Sequence, residues 1–413
     1  MKTNSIVTVL DIGSSKVCCC IASISANGRV NILGVGYCVC FGVKCGIITD
    51  MESVGKSIVK AVEAAEHAAK ISVKSVYVSI SGRHVRSKIV GASVNIGGRV
   101  IKSEDITQLQ SFRDNEDNST EVIHAIPIMY TIDSIHGIKD PLGMIANNLT
   151  ASINFVSVSK IQLNNLLLCL DKCHVDPMGV VASSYACGLF ASDDDADTPV
   201  SRIVIDFGGE TTTITFIYNG IFCGSELIPI GGRHITRDIA YGLNISAASA
   251  ERLKTLHGAA FVSIDDERDT VLVPVLEDEN VIDMQQLPKS TLNGIIQPIV
   301  EGIMFSIKQK IEESIFKNDF KNSIVTITGG GSQLTGIRDV AAEILNRNIS
   351  IKKINHTYGN ANLPISNDFS VALGMIKFAQ FVENISIKGT FFAESSASKG
   401  FFKKTLLWIE NNL

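Results

Sequence analysis

Asp11 closes the apolar run VTVLDIG and Asp206 closes IVIDFGG, and small hydroxyl residues follow each. A carboxylate at a strand end can hold the hydration shell of magnesium, which keeps several waters and takes few carboxylates. The glycine turn behind it lets backbone N–H groups converge on anionic oxygens. Ser14 and Ser15 in the first loop, and Thr211 and Thr212 in the second, add hydroxyl donors, and Lys16 adds a charge. One Asp-Gly turn is common and says little. Two copies facing each other across a cleft would cradle a phosphate chain and its metal. A third stretch, IVTITGGGSQL (324–334), reads as strand, three glycines and then helix, a backbone that a flat ligand can approach closely. Taken alone, it is equally a tight strand-to-helix connection.

Other chemistry is poorly supplied. Cys169, Cys173 and His174 come nearest to a metal set, since i and i+4 share a helix face, but a fourth ligand is missing. Cys18, Cys19 and Cys20 fall in a β-like run, where neighbours face opposite sides and cannot converge on one ion. Ten cysteines without an export signal point to reduced thiols. There is no Walker A loop and no serine-hydrolase elbow. A net charge of −5 with no basic run argues against a general nucleic-acid binder. The opening MKTNSIVTVLDIG reads as a strand rather than a signal peptide, and no apolar run is long enough to span a membrane.

What must position these residues follows from a near-repeat. Each Asp-x-Gly closes one β-branched strand and leads into a second, VCCCIASI in the first copy and ITFIYNG in the second. Two such units predict two related halves. MESVGKSIVKAVEAAEHAAK (51–70) has an amphipathic period and leads to the strand SVYVSI. RHITRDIAYGL and SAASAERLKTLHG are helical, and a long helix is expected over 290–316. Hairpins mixed with crossover helices indicate an α/β protein with two mixed-sheet domains. Residues 81–161, with short strands, the polar DNEDNSTE and proline turns, look inserted, as do residues 241–300. The SDDDAD run at 192–197 is expected to be a solvated loop joining the halves.

The final GFFKKTLLWIENNL poses a separate question. On a helical wheel Phe401, Phe402, Leu406, Trp408, Ile409 and Leu413 share an arc of roughly 160°. Lys403, Lys404, Glu410 and Asn411 lie opposite, with Leu407 an exception among them and Thr405 and Asn412 intruding on the apolar arc. Such a helix either docks on the protein's own core or lies in a membrane interface with its lysines at anionic head groups. The preceding SIKGTFFAESSASKG has linker composition, which favours a membrane or partner over the core.

The ordered set LDIGSSK, IDFGGETT and ITGGGSQL looks like the phosphate-1, phosphate-2 and adenosine motifs of the actin/Hsp70/sugar-kinase superfamily. Within it the chain resembles the FtsA family of bacterial cell-division proteins over nearly its whole length. The matches outside the nucleotide motifs include FGVKCGIITDMESVGKSIVKAVEAAE (41–66), VYVSISGRHV (76–85), HAIPIMYTID (124–133), SSYACGL (183–189), GGRHITRDIAYGL (231–243) and AERLKTLHG (250–258).

The resemblance implies an actin-like (ribonuclease-H-like) α/β fold of two domains and four subdomains, with ATP in the interdomain cleft and a C-terminal amphipathic helix. Subdomain 1A would take residues 1–80 and 162–197, the inserted 1C 81–161, 2A 198–240 and 301–385, and 2B 241–300. A linker would cover 386–399 and a membrane-targeting helix 400–413. The implied role is an ATP- and Mg²⁺-binding, filament-forming protein. It would join the C-terminal tail of the tubulin-like FtsZ to anionic lipids on the cytoplasmic face of the inner membrane at the division site, and help recruit later division proteins. By the same resemblance Gly13, Ser14, Ser15 and Lys16, with Gly208, Gly209, Thr211, Thr212 and Gly232, would surround the phosphates. Asp11 and Asp206 would hold magnesium through water. Glu251 and Lys254 would contact ribose and adenine, and Gly329, Gly330, Gly331, Ser332 and Gln333 would flank the base. Lys289 would contact FtsZ, where another basic residue of the family is replaced by Ile299.

The second loop departs from the family's Asp-x-Gly-Gly-Gly-Thr-Thr-Asp, with Glu210 for the third glycine and Thr213 for the last aspartate. A carboxylate there would repel phosphate unless magnesium or solvent intervenes or it points out of the cleft. No residue stands out as a catalytic base, so hydrolysis is expected to be weak at most. The alternatives are a sugar-kinase-like or other ATPase of the superfamily, or an MreB-like cytoskeletal protein. A sugar kinase has no use for a tethered amphipathic tail, and the MreB kind lacks an insertion at 81–161.

Overall fold

Each Asp-x-Gly unit is the first hairpin of a five-stranded sheet in the computed structural model, which describes residues 5–25, 27–112, 118–192, 200–277, 280–352, 354 and 365–388. In the first half β1 (Ser5–Ile12), β2 (Lys16–Ile24) and β3 (Val30–Val39) form an antiparallel meander. The short pair β4 (Val43–Lys44) and β5 (Ile47–Ile48) follows, and α1 (Met51–Ala69) carries the chain back to β6 (Ser75–Ile80), parallel to β1. The Asp50 carboxylate accepts from Glu52 N and Ser53 N at the start of α1, as an N-cap should.

Next comes a separate four-stranded sheet made of β7 (Val85–Val100), β8 (Thr120–Ile132), β9 (Ile135–Ile138) and β10 (Ile145–Ser159), with α2 (Ser103–Gln110) packed on it. β7 and β10, with 16 and 15 residues, are longer than the short strands expected, whereas β9 has four. One face packs on Ile106 and Leu109 of α2, so polar residues alternate along both strands and break up the apolar runs. Then α3 (Lys160–Lys172) leads to β11 (Asp176–Ala182), parallel to β6, and α4 (Ser183–Ala191).

The second half opens with the meander β12 (Arg202–Phe207), β13 (Thr212–Tyr218) and β14 (Ile221–Ile228). Helices α5 (Gly232–Gly242) and α6 (Ala247–His257), the hairpin β15 (Thr270–Glu277) and β16 (Asn280–Pro288), and α7 (Lys289–Glu313) fill the crossover. β17 (Ile324–Thr328) then lies parallel to β12, and α8 (Ile337–Leu345) leads to β18 (Ile349–Ile351). α9 (Ser370–Lys388) is the last described element, and it takes in residues 386–388, which the sequence reading gave to the linker. The two sheets, β3-β2-β1-β6-β11 and β14-β13-β12-β17-β18, share one order and one set of strand senses, so the predicted duplication is a duplicated topology. Residues 389–413, with the linker remainder and the amphipathic tail, lie outside the described residues, as do 193–199 of the acidic loop and 113–117 of the inserted region.

Helices α4 and α9 join the halves. Their Ala186, Phe190, Leu373 and Ile376 share one apolar core with Val9, Cys18 and Cys20 of the first sheet and Val204, Ile217 and Phe222 of the second. His124 of β8 ties the inserted sheet to this junction: Ala182 N, at the start of α4, donates to its Nε2 at 3.0 Å, and Tyr185 and Phe378 pack edge-on against the ring. Burial pushes His124 down to about 3 from 6.5. Below pH 6.5 the unfolded chain therefore takes up a proton that the native state refuses, and stability falls as pH drops. Between pH 7 and 5 the loss from this residue is about 2 kcal/mol. Urea unfolding midpoints at the two pH values check this, and His124→Gln should flatten the drop.

Candidate functional site

The two Asp-x-Gly turns meet where the C-terminal ends of β1 and β12 face each other. Ser79 of β6 donates to Asp11 Oδ1 at 2.7 Å and itself accepts from Ile12 N at 3.0 Å. Burial raises the Asp11 carboxyl, partly offset by the Ser79 bond and the Lys16 charge. Asp206 is pushed up to about 7 by burial and by the nearby charge of Asp11. Two half-buried carboxylates, of which Asp206 feels the charge of Asp11, suit a hydrated divalent cation.

The loops behind them are built alike. Gly13 N donates to Lys16 O, and Gly208 N donates to Thr211 O, both at 3.0 Å. They touch across the cleft, since a Cβ on Gly209 would come 2.9 Å from Ser15 Cβ. Gly232 N and Arg233 N, in the first turn of α5, bond to Gly208 O and Gly209 O and brace the second loop. Ser14 is buried and accepts from Gly46 N at 3.4 Å, whereas Ser15 is exposed to the cleft. Two expected phosphate contacts are otherwise engaged. Thr212 is fully buried, because as the first residue of β13 it alternates inward, and its hydroxyl donates to Ile230 O. Lys16 pairs with Asp368, in the 3₁₀ turn Asn367–Phe369 before α9, and its ammonium sits 3.4 Å from the Phe369 ring centroid.

The Glu210 carboxylate is engaged by two protein groups. Its Oε2 accepts from Cys45 N of the first half at 2.8 Å, and its Oε1 from Arg233 Nη1 at 3.2 Å. Thr213 stands opposite Asp206 on β13. Glu251 and Lys254 form an ion pair of 2.7 Å on α6, and Lys254 Nζ also donates to Gly232 O and Thr236 Oγ1 of α5. They are thus fixed to the helix that braces the second loop.

The glycine stretch does not run straight into a helix. Gly329 adopts φ +81°, a 3₁₀ turn covers Gly330–Gln333, and α8 begins only at Ile337. The buried Ser332 hydroxyl donates to Gly329 O at 2.7 Å and holds the turn, while Gln333 is exposed. A Cβ on Gly331 would come 2.3 Å from the Phe207 ring, so the backbone lies directly on the end of β12.

Away from the cleft, Lys289 opens α7 and lies 3.7 Å from Asp266, while Ile299 packs against the second-half core. The Cys169 and Cys173 thiols face the backbone of α1, and no cluster of metal-ligating residues exists among the described residues. Sequence reasoning missed Ser79, Arg233 and Asp368. Arg233 and Ser79 lie inside the quoted GGRHITRDIAYGL and VYVSISGRHV, where nothing local marks their roles, and Asp368 lies in no quoted stretch.

Residues 203–374 match the family model for cell division protein FtsA, and residues 82–157 match that for the SHS2 domain inserted in FtsA. Among solved structures, the PilM-PilN type IV pilus biogenesis complex aligns with a TM-score of 0.65 at 14% identity, covering 91% of this chain and 98% of that one. MreB5 of Spiroplasma citri bound to ADP aligns at 0.56 with 12% identity, covering 93% and 98%. These likenesses give the fold, which is actin-like. The cell division protein FtsA of Agrobacterium fabrum is 33% identical over 432 residues, spanning all of this chain and 96% of its own length. With that identity over the full chain, and with the inserted SHS2 domain in place, this protein belongs to the FtsA family of cell-division proteins.

Proposed function

We propose that the cleft binds ATP with Mg²⁺, and that the protein polymerises on the cytoplasmic face of the inner membrane, where it tethers FtsZ and helps recruit later division proteins. The observation that carries the nucleotide part is the meeting of two like-built Asp-x-Gly loops, one from each half, over the carboxylates of Asp11 and Asp206. Backbone N–H groups of Ser14–Lys16 and Gly209–Thr211 hold the phosphates, with Ser15 and Thr211 adding hydroxyls. Asp11 and Asp206 hold the waters of the metal, and Ser79 fixes the Asp11 rotamer. Magnesium, when bound, neutralises phosphate charge. Glu251 and Lys254 border the ribose side, and the turn at Gly329–Gln333 supplies backbone for the base to lie against. Lys289 belongs to the FtsZ-tail contact.

The membrane part rests on sequence alone: a linker followed by fourteen residues whose apolar arc carries Phe401, Phe402, Leu406, Trp408 and Ile409 beside Lys403 and Lys404. One such helix binds weakly, so attachment depends on many tails along one filament. Deleting residues 400–413 is expected to release the protein from anionic liposomes. Phe402→Glu or Trp408→Glu should do nearly the same, because each puts charge into the apolar arc. Unchanged lipid sedimentation would sink the anchor.

A further inference from the structure

Glu210 sits inside a phosphate-type loop, yet its carboxylate serves a different contact. One oxygen reaches the first half at Cys45 N, 2.8 Å away, and the other takes Arg233 Nη1 at 3.2 Å. Arg233 in turn reaches the first half itself, donating from Nη2 to Cys40 O at 3.0 Å. Two bonds therefore cross the cleft from one ion pair. The receiving loop is shaped for this: Cys45 holds φ +47° between Gly42 and Gly46, both also at positive φ, which turns its N–H toward Glu210. Gly46 N also bonds to Ser14 Oγ, so the same loop is tied to the first phosphate loop. The Glu210 side chain is 16% exposed and that of Arg233 33%, which limits solvent screening of the pair.

We propose that Glu210 and Arg233 form a latch that holds the two halves closed on the phosphate side and sets how fast nucleotide enters and leaves. The kinetic part rests on the nucleotide reading above; the latch itself does not. A carboxylate in the position of a family glycine thus acts as a strap between domains instead of repelling phosphate. Opening the cleft requires breaking the Cys45 and Cys40 bonds together. Bound nucleotide is then retained longer than the loops alone would hold it.

Two measurements on the full chain test this. Hydrogen exchange of the nucleotide-free protein should show the Cys45 amide protected, and Glu210→Ala should speed its exchange at least about tenfold, the factor for losing one charge-assisted hydrogen bond. Stopped-flow release of a fluorescent ATP analogue should quicken by a similar factor in Glu210→Ala and in the milder Arg233→Lys, which keeps the charge but loses the fork. If Glu210→Ala does not fold, Glu210→Gln replaces it. Faster Cys45 exchange without any analogue binding to the wild type would leave the latch standing and overturn the nucleotide reading. Analogue binding with neither exchange nor release altered would overturn the latch.

Discussion

Asp206→Asn is expected to cut magnesium-dependent ATP binding about 100-fold, as loss of a group that orders metal-bound water does, while making the empty protein melt higher. Both effects have one cause. Burial and Asp11 hold the Asp206 carboxyl up to about 7, against 3.8 in the unfolded chain. Between those values the folded protein keeps a proton that the unfolded chain gives up. Stability of the empty protein therefore declines as pH rises through that window and levels off above about 7. Asparagine removes the charge and with it the decline. Metal binding has the opposite preference, because a cation needs the ionised carboxylate, so wild-type affinity should rise from pH 6 to pH 8. Calorimetric titration with ATP, with and without Mg²⁺, and thermal melts at both pH values read the two effects. A variant that binds like the wild type would refute the metal assignment, and one that melts lower when empty would refute the raised carboxyl.

The largest structural effect is expected at Gly374. A Cβ there would lie 1.8 Å from Ala186 O and 2.4 Å from Ala186 C, backbone atoms of α4 that no rotamer change can move. Gly374→Ala must therefore push α9 off α4 and open the core shared by Val204, Ile217, Phe222 and Ile376. The cost is about 3 kcal/mol. Gly188→Ala, on the same junction, is the comparison. Its Cβ would meet Ile217 Cδ1 at 2.7 Å, the free end of a side chain, so the cost is about 1 kcal/mol. Equal urea midpoints for the two variants would contradict this account of how the halves are joined.

The duplicated halves were legible because each Asp-x-Gly turn directly follows a β-branched strand in sequence, and the two copies carry the same local pattern. The helices at 51–70 and 231–257 were legible for a similar reason, their apolar period being local. What escaped depends on distance along the chain. Lys16 finds Asp368 352 residues later, and Glu210 finds Cys45 165 residues earlier, so no window of sequence contains either pair. Thr212 escaped for a local reason: the strand begins at Thr212, two residues before the expected ITFIYNG, and period-2 alternation turns that hydroxyl into the core. In the glycine stretch, the Ser332 bond to Gly329 O winds a 3₁₀ turn where composition alone allowed a helix to start at once.

In the proposed function a nucleotide-binding body and a membrane-seeking tail act together to hold FtsZ at a membrane. This joint action is tested most directly by co-sedimenting FtsZ with anionic liposomes in the presence of this protein, full-length or lacking residues 400–413, with and without ATP and Mg²⁺. FtsZ should pellet with lipid only when the full-length protein is present, and more strongly with Mg²⁺ and ATP. FtsZ left in the supernatant with the full-length protein, or carried down equally by the tail-deleted form, would contradict the account.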